Sequence, residues 1–300
     1  MTLVIEGLKK KFAHHHAVDG ISLSVEKGEM FGMLGANGAG KTTSFRMILG
    51  LLDPTEGSVT WNGERITYKR THLVGYLPEE RGLFPKLTVK EQLIYLMKLK
   101  GMKNQNIISE MRNWLDRFQI NEYENKKIEE LSKGNQQKIQ FMAAVLHKPE
   151  LLILDEPFSG LDPVNSEMLK SAVLDLQKMG TAIVFSSHQM KNVEEMCEDL
   201  IMLKQGKAVL QGNLREIKRS YRMKSISIKS DYEVDFLQSI KGVIHMDKTK
   251  DGAVLKVENE AVAEEIFKKI TESGFVRKFE VEEPSLHDIF IDKVGGNKDE

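Results

Sequence analysis

Apolar and polar residues alternate in three stretches near the start of the chain, "LVIEGL", "GISLSV" and "MFGML". A period of two predicts strands. A glycine-rich turn and a helix follow the third. From Thr88 the period lengthens. The stretch "TVKEQLIYLMKLKG" opens on Thr88 and carries Glu91 at the spacing of a capping box. "ISEMRNWLDRF" repeats the helical pattern, so the region of about 83–145 is expected to be mostly helical. Apolar runs then return as "LLILD", "AIVFSS" and "LIMLKQG", separated by helical periods. Strands alternating with helices predict an α/β fold with a mainly parallel sheet, covered on both faces.

The pattern changes near Lys218. The run "REIKRSYRMK" is basic and polar and reads as a connector. Beyond it the expected order is strand 226–229, helix 232–240, strand 243–247, strand 253–257, helix 260–273 and strand 275–281. That order is the split βαβ, ferredoxin-like arrangement. The division is therefore placed at 1–218 and 219–300, with a frayed tail at "GGNKDE".

Composition changes this picture little. The formal net charge of −1 argues neither for nor against nucleic acid. A single cysteine, Cys197, excludes an internal disulfide framework and fits a reducing compartment. No run of about 18 apolar residues is present to span a bilayer, and "MTLVIEGLKKKF" has no signal-peptide core. The chain is expected in the cytosol, where it can still sit on a membrane partner. Three consecutive histidines, His14, His15 and His16, do not converge well on one metal ion, so a solvated loop is the better reading.

The chemistry begins at "GANGAGKTT", directly after "MFGML". It fits G-x-x-x-x-G-K-[ST] over 35–42. Gly35, Gly38 and Gly40 let the backbone curl so that successive N–H groups point inward. A helix starting near Lys41 adds its positive end. The Lys41 ammonium can reach β- and γ-phosphates, and the Thr42 hydroxyl can bind Mg²⁺. The run "LLILDEP" supports this loop. It reads as a buried parallel strand that delivers Asp155 to the magnesium site. Glu156, one step on, can polarise an attacking water. No "NKxD"-like guanine reader is present. Phe12 lies upstream; alone it reads as a core residue, with adenine stacking as the alternative.

The polar turn "LSKGNQQK" precedes that strand by about one helix, and in place and form it resembles the "LSGGQ" signature of ATP-binding cassette proteins. Over roughly 2–215 the chain resembles the ATP-hydrolysing subunit of an ABC transporter. The resemblance implies a P-loop ABC ATPase domain with a helical subdomain, followed by the small C-terminal α+β domain. It also implies that ATP and Mg²⁺ are sandwiched between two copies of the chain. Gly35, Ala36, Asn37, Gly38, Ala39, Gly40, Lys41, Thr42 and Thr43 would hold the nucleotide, with Phe12 on the adenine. Ser132, Lys133, Gly134 and Asn135 would reach the γ-phosphate in trans. Ser159, Gly160, Leu161 and Asp162 resemble the loop that crosses the seam. His188 in "VFSSHQM" resembles the switch histidine that contacts the γ-phosphate, and Glu156 is read as the catalytic base.

Two residue changes depart from the family pattern. Lys133 and Asn135 replace the usual glycine and glutamine of the signature, and Lys133 adds positive charge near the trans phosphate. Glu79 in "GYLPEERGLFP" replaces the usual glutamine; it adds negative charge beside ATP and can approach Mg²⁺. "GYLPEERGLFPKLTV", "LSKGNQQK" and "EEPSLHDIFI" together resemble the exporter subgroup that includes sodium-efflux ATP-binding subunits. The implied partners are a second copy and a separate transmembrane permease, at the inner face of the cell membrane, with no nucleic acid. Leu83, Phe84 and Leu87 read either as a docking groove for that permease or as subdomain core. His287 and Asp288 read as structural, and "EEPSLHDIFI" as a dimer contact or a regulatory surface. A soluble ABC-type ATPase acting on ribosomes or DNA is the rival reading. Such chains carry two cassettes or long coiled coils, and neither is seen here. A module that uses ATP only as a switch is a third, opposed by Glu156 and His188.

Overall fold

A computed structural model describes residues 2–80 and 82–295. The frayed tail expected at the C-terminus lies outside them apart from Gly295. The chain divides into two compact units between Gln211 and Gly212.

The first unit runs β1 (Thr2–Phe12), β2 (His15–Glu26), β3 (Met30–Gly35), α1 (Lys41–Ile48), β4 (Glu56–Trp61), β5 (Val74–Leu77), α2 (Val89–Leu99), α3 (Asn104–Arg117) and α4 (Lys133–Val145). It continues with β6 (Leu151–Asp155), α5 (Pro163–Lys178), β7 (Ala182–Ser187), α6 (Met190–Met196), β8 (Asp199–Lys204) and β9 (Lys207–Asn213), whose last two residues lie past the division. Six strands form one sheet in the order β5-β6-β7-β3-β8-β9. The pairs from β5 through β8 are parallel. β3, β6 and β7 are buried at every position, the expected state of parallel strands covered on both faces. Their carboxyl ends therefore open on one edge, where the functional residues gather. A second sheet, β2-β1-β4, is antiparallel. One apolar cluster joins it to α1 and the parallel sheet through Ile5, Phe45, Trp61, Val184 and Ile201.

The helical region is built from α2, α3 and α4. The Thr88 hydroxyl accepts from the Glu91 amide at 3.2 Å, and Glu91 accepts from the Thr88 amide at 2.9 Å, closing the capping box. On α3, Ile107, Met111 and Leu115 recur every four residues and are buried. Trp114, Phe118 and Phe141 pack edge-on or tilted, with ring centroids 5.4–6.0 Å apart, tying α3 to α4.

The second unit holds α7 (Leu214–Ser220), β10 (Lys224–Ser230), β11 (Val243–Thr249), β12 (Gly252–Val257), α8 (Glu260–Ser273), β13 (Val276–Glu282) and α9 (Leu286–Gly295). Its sheet order, β11-β12-β10-β13, is antiparallel throughout. This is the ferredoxin-like order. Ile226, Ile228 and Leu255 from the sheet share a core with Ile266 and Ile270 of α8.

Two local expectations change. The helix read at 232–240 is a single 3₁₀ turn, Asp235–Ser239. Leu237 within it, and Val234 and Ile240 at its two ends, are buried; a spacing of three matches that tighter helix, not 3.6. The "connector" is largely α7. The Asn213 side chain accepts from the amides of Arg215 and Glu216, and Leu214 and Ile217 are buried. The boundary expected at 218 therefore falls inside a helix, seven residues after the observed division.

Candidate functional site

The loop from Gly35 to α1 wraps a cavity of about 420 Å³ that Phe12, His15, Asn37, Lys41, Thr42 and Glu79 help to line. Gly40 has φ 106°, and a Cβ there would lie 2.4 Å from the Ala17 carbonyl oxygen. Only glycine fits that close approach. The Lys41 side chain is 6% exposed, and its Nζ donates to the Gly35 and Ala36 carbonyls at 2.7 and 3.3 Å. These short loop contacts hold the ammonium where a phosphate can replace the carbonyls as its partner.

Phe12 is 48% exposed at the cavity, with Lys10 Nζ 5.3 Å from its ring centre. It is not a core residue. Its cross-strand partner is His15. The histidine triplet is therefore exposed, as read, but only His14 is in the turn; His15 and His16 begin β2.

Asp155 ends β6 and is 1% exposed. Its Oδ2 accepts from Thr42 Oγ1 at 2.8 Å, and its Oδ1 from Ser186 Oγ at 2.5 Å. A hydroxyl beside a buried carboxylate is an oxygen donor set suited to Mg²⁺, which takes one or two carboxylates and completes its shell with phosphate and water. Among the described residues no group of three or more His, Cys, Asp or Glu side chains is arranged to hold a metal ion unaided. Glu79 lines the cavity but does not join Asp155 and Glu156 in such a group.

Glu156 follows in the left-handed region at φ 49°, 5% exposed. Its amide donates to Ser186 Oγ at 3.0 Å. Oε2 accepts from the His188 ring Nδ1 at 2.8 Å and from the His188 amide at 3.3 Å. Oε1 has no hydrogen-bond partner and lies 3.7 Å from Lys41 Nζ. A buried carboxylate oxygen with a free lone pair can accept a proton from an attacking water. His188 is half exposed while bonded to Glu156.

The signature turn starts α4. Ser132, Lys133, Gly134 and Asn135 are not among the residues lining the cavity at the phosphate loop. Ser132 Oγ accepts from the Asn135 amide at 3.3 Å and caps α4. A Cβ on Gly134 would meet Asn165 Nδ2 at 3.0 Å. Asn165 donates to both oxygens of Asp162, from its amide at 3.0 Å and its side chain at 2.5 Å. Asn165, bonded to Asp162 of the loop Ser159, Gly160, Leu161 and Asp162, thus lies close to Gly134 of the signature turn. Sequence reading missed Asn165 and Ser186, since neither sits at a position a local motif marks.

Of the three residues read as groove or core, Leu83 lines a separate cavity of about 250 Å³ with Tyr76, Leu96 and Leu99. Phe84 is 50% exposed, edge-on to Tyr95 at 6.1 Å. Leu87 is half-buried. The core reading therefore fails for Phe84. Asp288 bonds Ser285 and pairs with Lys256 at 2.5 Å, a structural use.

The family described as ABC transporter matches residues 18–159. An uncharacterised ABC transporter ATP-binding protein of Bacillus subtilis (strain 168), YhaQ, is 58% identical over 98% of this chain and 98% of its own length. The chain belongs to the ABC transporter ATP-binding proteins. It binds and hydrolyses ATP as a subunit of a transport system. The linearmycin resistance ATP-binding protein LnrL of the same organism is 32% identical over 98% of each chain. A solved ATP-binding subunit of an ABC transporter is 28% identical, with a TM-score of 0.69 over 74% of this chain and 93% of that one. The second unit matches the family described as ATP-binding protein DrrA1-3-like, C-terminal domain, over 212–294. Among the described residues of this ABC ATP-binding subunit, no helix is long and apolar enough to cross a membrane.

Proposed function

We propose that this subunit powers export of a drug-like molecule or a sodium ion through a separate permease, acting as an ATP-dependent homodimer on the inner face of the membrane. The observation that carries the catalytic part is Glu156, buried between Lys41 and His188 with one oxygen free. In this reading the 35–43 loop holds the phosphates and Phe12 stacks on adenine. Lys41 leaves the loop carbonyls for the β- and γ-phosphates. Glu156 takes the proton of the attacking water, and His188 holds the carboxylate in place. Thr42 and Asp155 are the residues to hold Mg²⁺, with Glu79 at the rim; when bound, the ion offsets phosphate charge and polarises the terminal phosphate. Ser132, Lys133, Gly134 and Asn135 serve the facing copy, in keeping with the resemblance of their turn to the family signature. LnrL's name supports drug export.

The discriminating experiment is purification of the tagged chain from detergent-solubilised membranes. A multi-span membrane protein is expected to come with it. Recovery only with ribosomes or DNA would favour the soluble ABC-type ATPase instead. Loss of the gene is expected to lower tolerance either to a drug or to sodium, which chooses between the two cargoes.

Glu79 gives a smaller test. Its carboxylate adds attraction for a divalent cation near the cavity. The Glu79→Gln chain is expected to need a few-fold more Mg²⁺ for half-maximal ATPase activity. An unchanged magnesium titration removes Glu79 from the metal's surroundings.

A further inference from the structure

The geometry points to Ser186 as a positioning residue for hydrolysis, one hydroxyl that orients Asp155 and Glu156 together; this rests on the function proposed above. Ser186 lies on β7 and is fully buried. β6 and β7 are parallel, and Asp155 and Ser186 are register partners. Paired residues of neighbouring strands point to the same face, so the hydroxyl stands beside the carboxylate.

The direction of each hydrogen bond is forced. The Glu156 amide is a donor only, so Ser186 Oγ accepts there, at 3.0 Å. The hydroxyl proton is then free for Asp155 Oδ1, at 2.5 Å. One proton and one lone pair are thus committed to two consecutive residues of the site.

The two contacts do different things. Asp155 is held by a hydroxyl on each oxygen, Ser186 on Oδ1 and Thr42 on Oδ2. Thr42 is itself a residue expected to hold Mg²⁺, whereas the Ser186 hydroxyl touches neither nucleotide nor metal in this reading. It can keep the carboxylate plane fixed while the Thr42 side remains available to the ion. At Glu156 the backbone is left-handed, a strained conformation for a side-chain-bearing residue that persists only when its surroundings fix it. The bond from the Glu156 amide to Ser186 is one such anchor. His188, two residues along the same strand end, grips the Glu156 side chain. Main chain and side chain of the base are therefore both held from β7.

The full chain carrying Ser186→Ala, Ser186→Thr or Ser186→Cys provides the test. Removal of a group that orients a metal-binding residue commonly lowers metal affinity or activity by about 10- to 100-fold. For Ser186→Ala, kcat is expected to fall by about that factor. ADP affinity measured in EDTA should equal that of the parent, while the gain in ADP affinity on adding Mg²⁺ shrinks. Ser186→Thr, which keeps the hydroxyl, should recover most of kcat and of that gain. Ser186→Cys, which keeps the shape with a weaker donor, should fall between, and it decides the matter if the alanine chain does not fold. Parent-like kcat and magnesium gain in Ser186→Ala overturn the proposal. So does a folded threonine chain no better than the alanine one, or an equal loss of ADP affinity in EDTA. Lys41→Ala measured alongside separates the failures: if it too keeps full turnover, the proposed site is wrong, and if it alone loses turnover, only the role of Ser186 is wrong.

Discussion

Lys41→Ala is expected to reduce ATP turnover of the purified chain to background while leaving it folded. Lys41 is the buried cation of the phosphate loop, held 2.7 Å from the Gly35 carbonyl and 3.7 Å from Glu156. Its site is built around a charge that phosphate can claim. A hydrogen bond to a charged group contributes about 1.5–3 kcal/mol, so nucleotide affinity should fall by about 10- to 100-fold from this contact alone. Turnover should fall further, because the lysine also offsets charge that builds on the phosphates as the bond breaks. The loop itself should survive, since the main-chain shape set by Gly40 does not depend on the side chain. Phosphate release at saturating ATP, with a thermal melt as control, checks this. Turnover within twofold of the parent contradicts it.

Glu156→Gln is expected to bind ATP as tightly as the parent and to hydrolyse it about 10²- to 10⁴-fold more slowly, the range that a positioned general base contributes. Glutamine matches glutamate in shape, and the bond from its amide to Ser186 is unchanged in kind. The free Oε1 and the negative charge facing Lys41 are what is lost. Binding and chemistry should therefore separate in this variant. Equal rates in the two chains would remove Glu156 from the reaction.

The parts of the fold legible in sequence were those with a local signature. "LLILD" and "AIVFSS" are uninterrupted apolar runs because both faces of β6 and β7 are covered. Thr88 and Glu91 announce the start of α2 because the capping box is closed within four residues. The phosphate loop shows itself through its glycines, which the close approach at Gly40 requires. The misread parts lacked such a signature or borrowed the wrong one. α7 is short and basic, and its stabilising residues, Asn213 and Leu214, sit just before the run that looked like a linker. Around the turn at Asp235–Ser239 the buried residues Val234, Leu237 and Ile240 recur every three positions, which a helical period imitates over so short a span.

The same rule governs the site. Glu156 and His188 were readable as neighbours of strong motifs, but their contact was not. Ser186 stands next to Ser187 in "FSSH", and nothing local distinguishes the two. Ser187 Oγ turns to the main chain of Gln189, and Ser186 Oγ to Asp155. Only the β6–β7 register assigns them. Asn165, which bonds Asp162 and lies close to Gly134, is likewise visible only once α4 and α5 are placed in space.

Sedimentation of the Glu156→Gln chain with saturating MgATP tests most directly whether one nucleotide is clasped by the glycine loop of one copy and the signature turn of another. A mass of twice the 34.1 kDa of the chain is expected, with return to 34.1 kDa when Ser132→Glu is added in the same background and ATP is still bound. A Glu156→Gln chain that stays at 34.1 kDa with its nucleotide bound, or a dimer indifferent to Ser132→Glu, contradicts the sandwich.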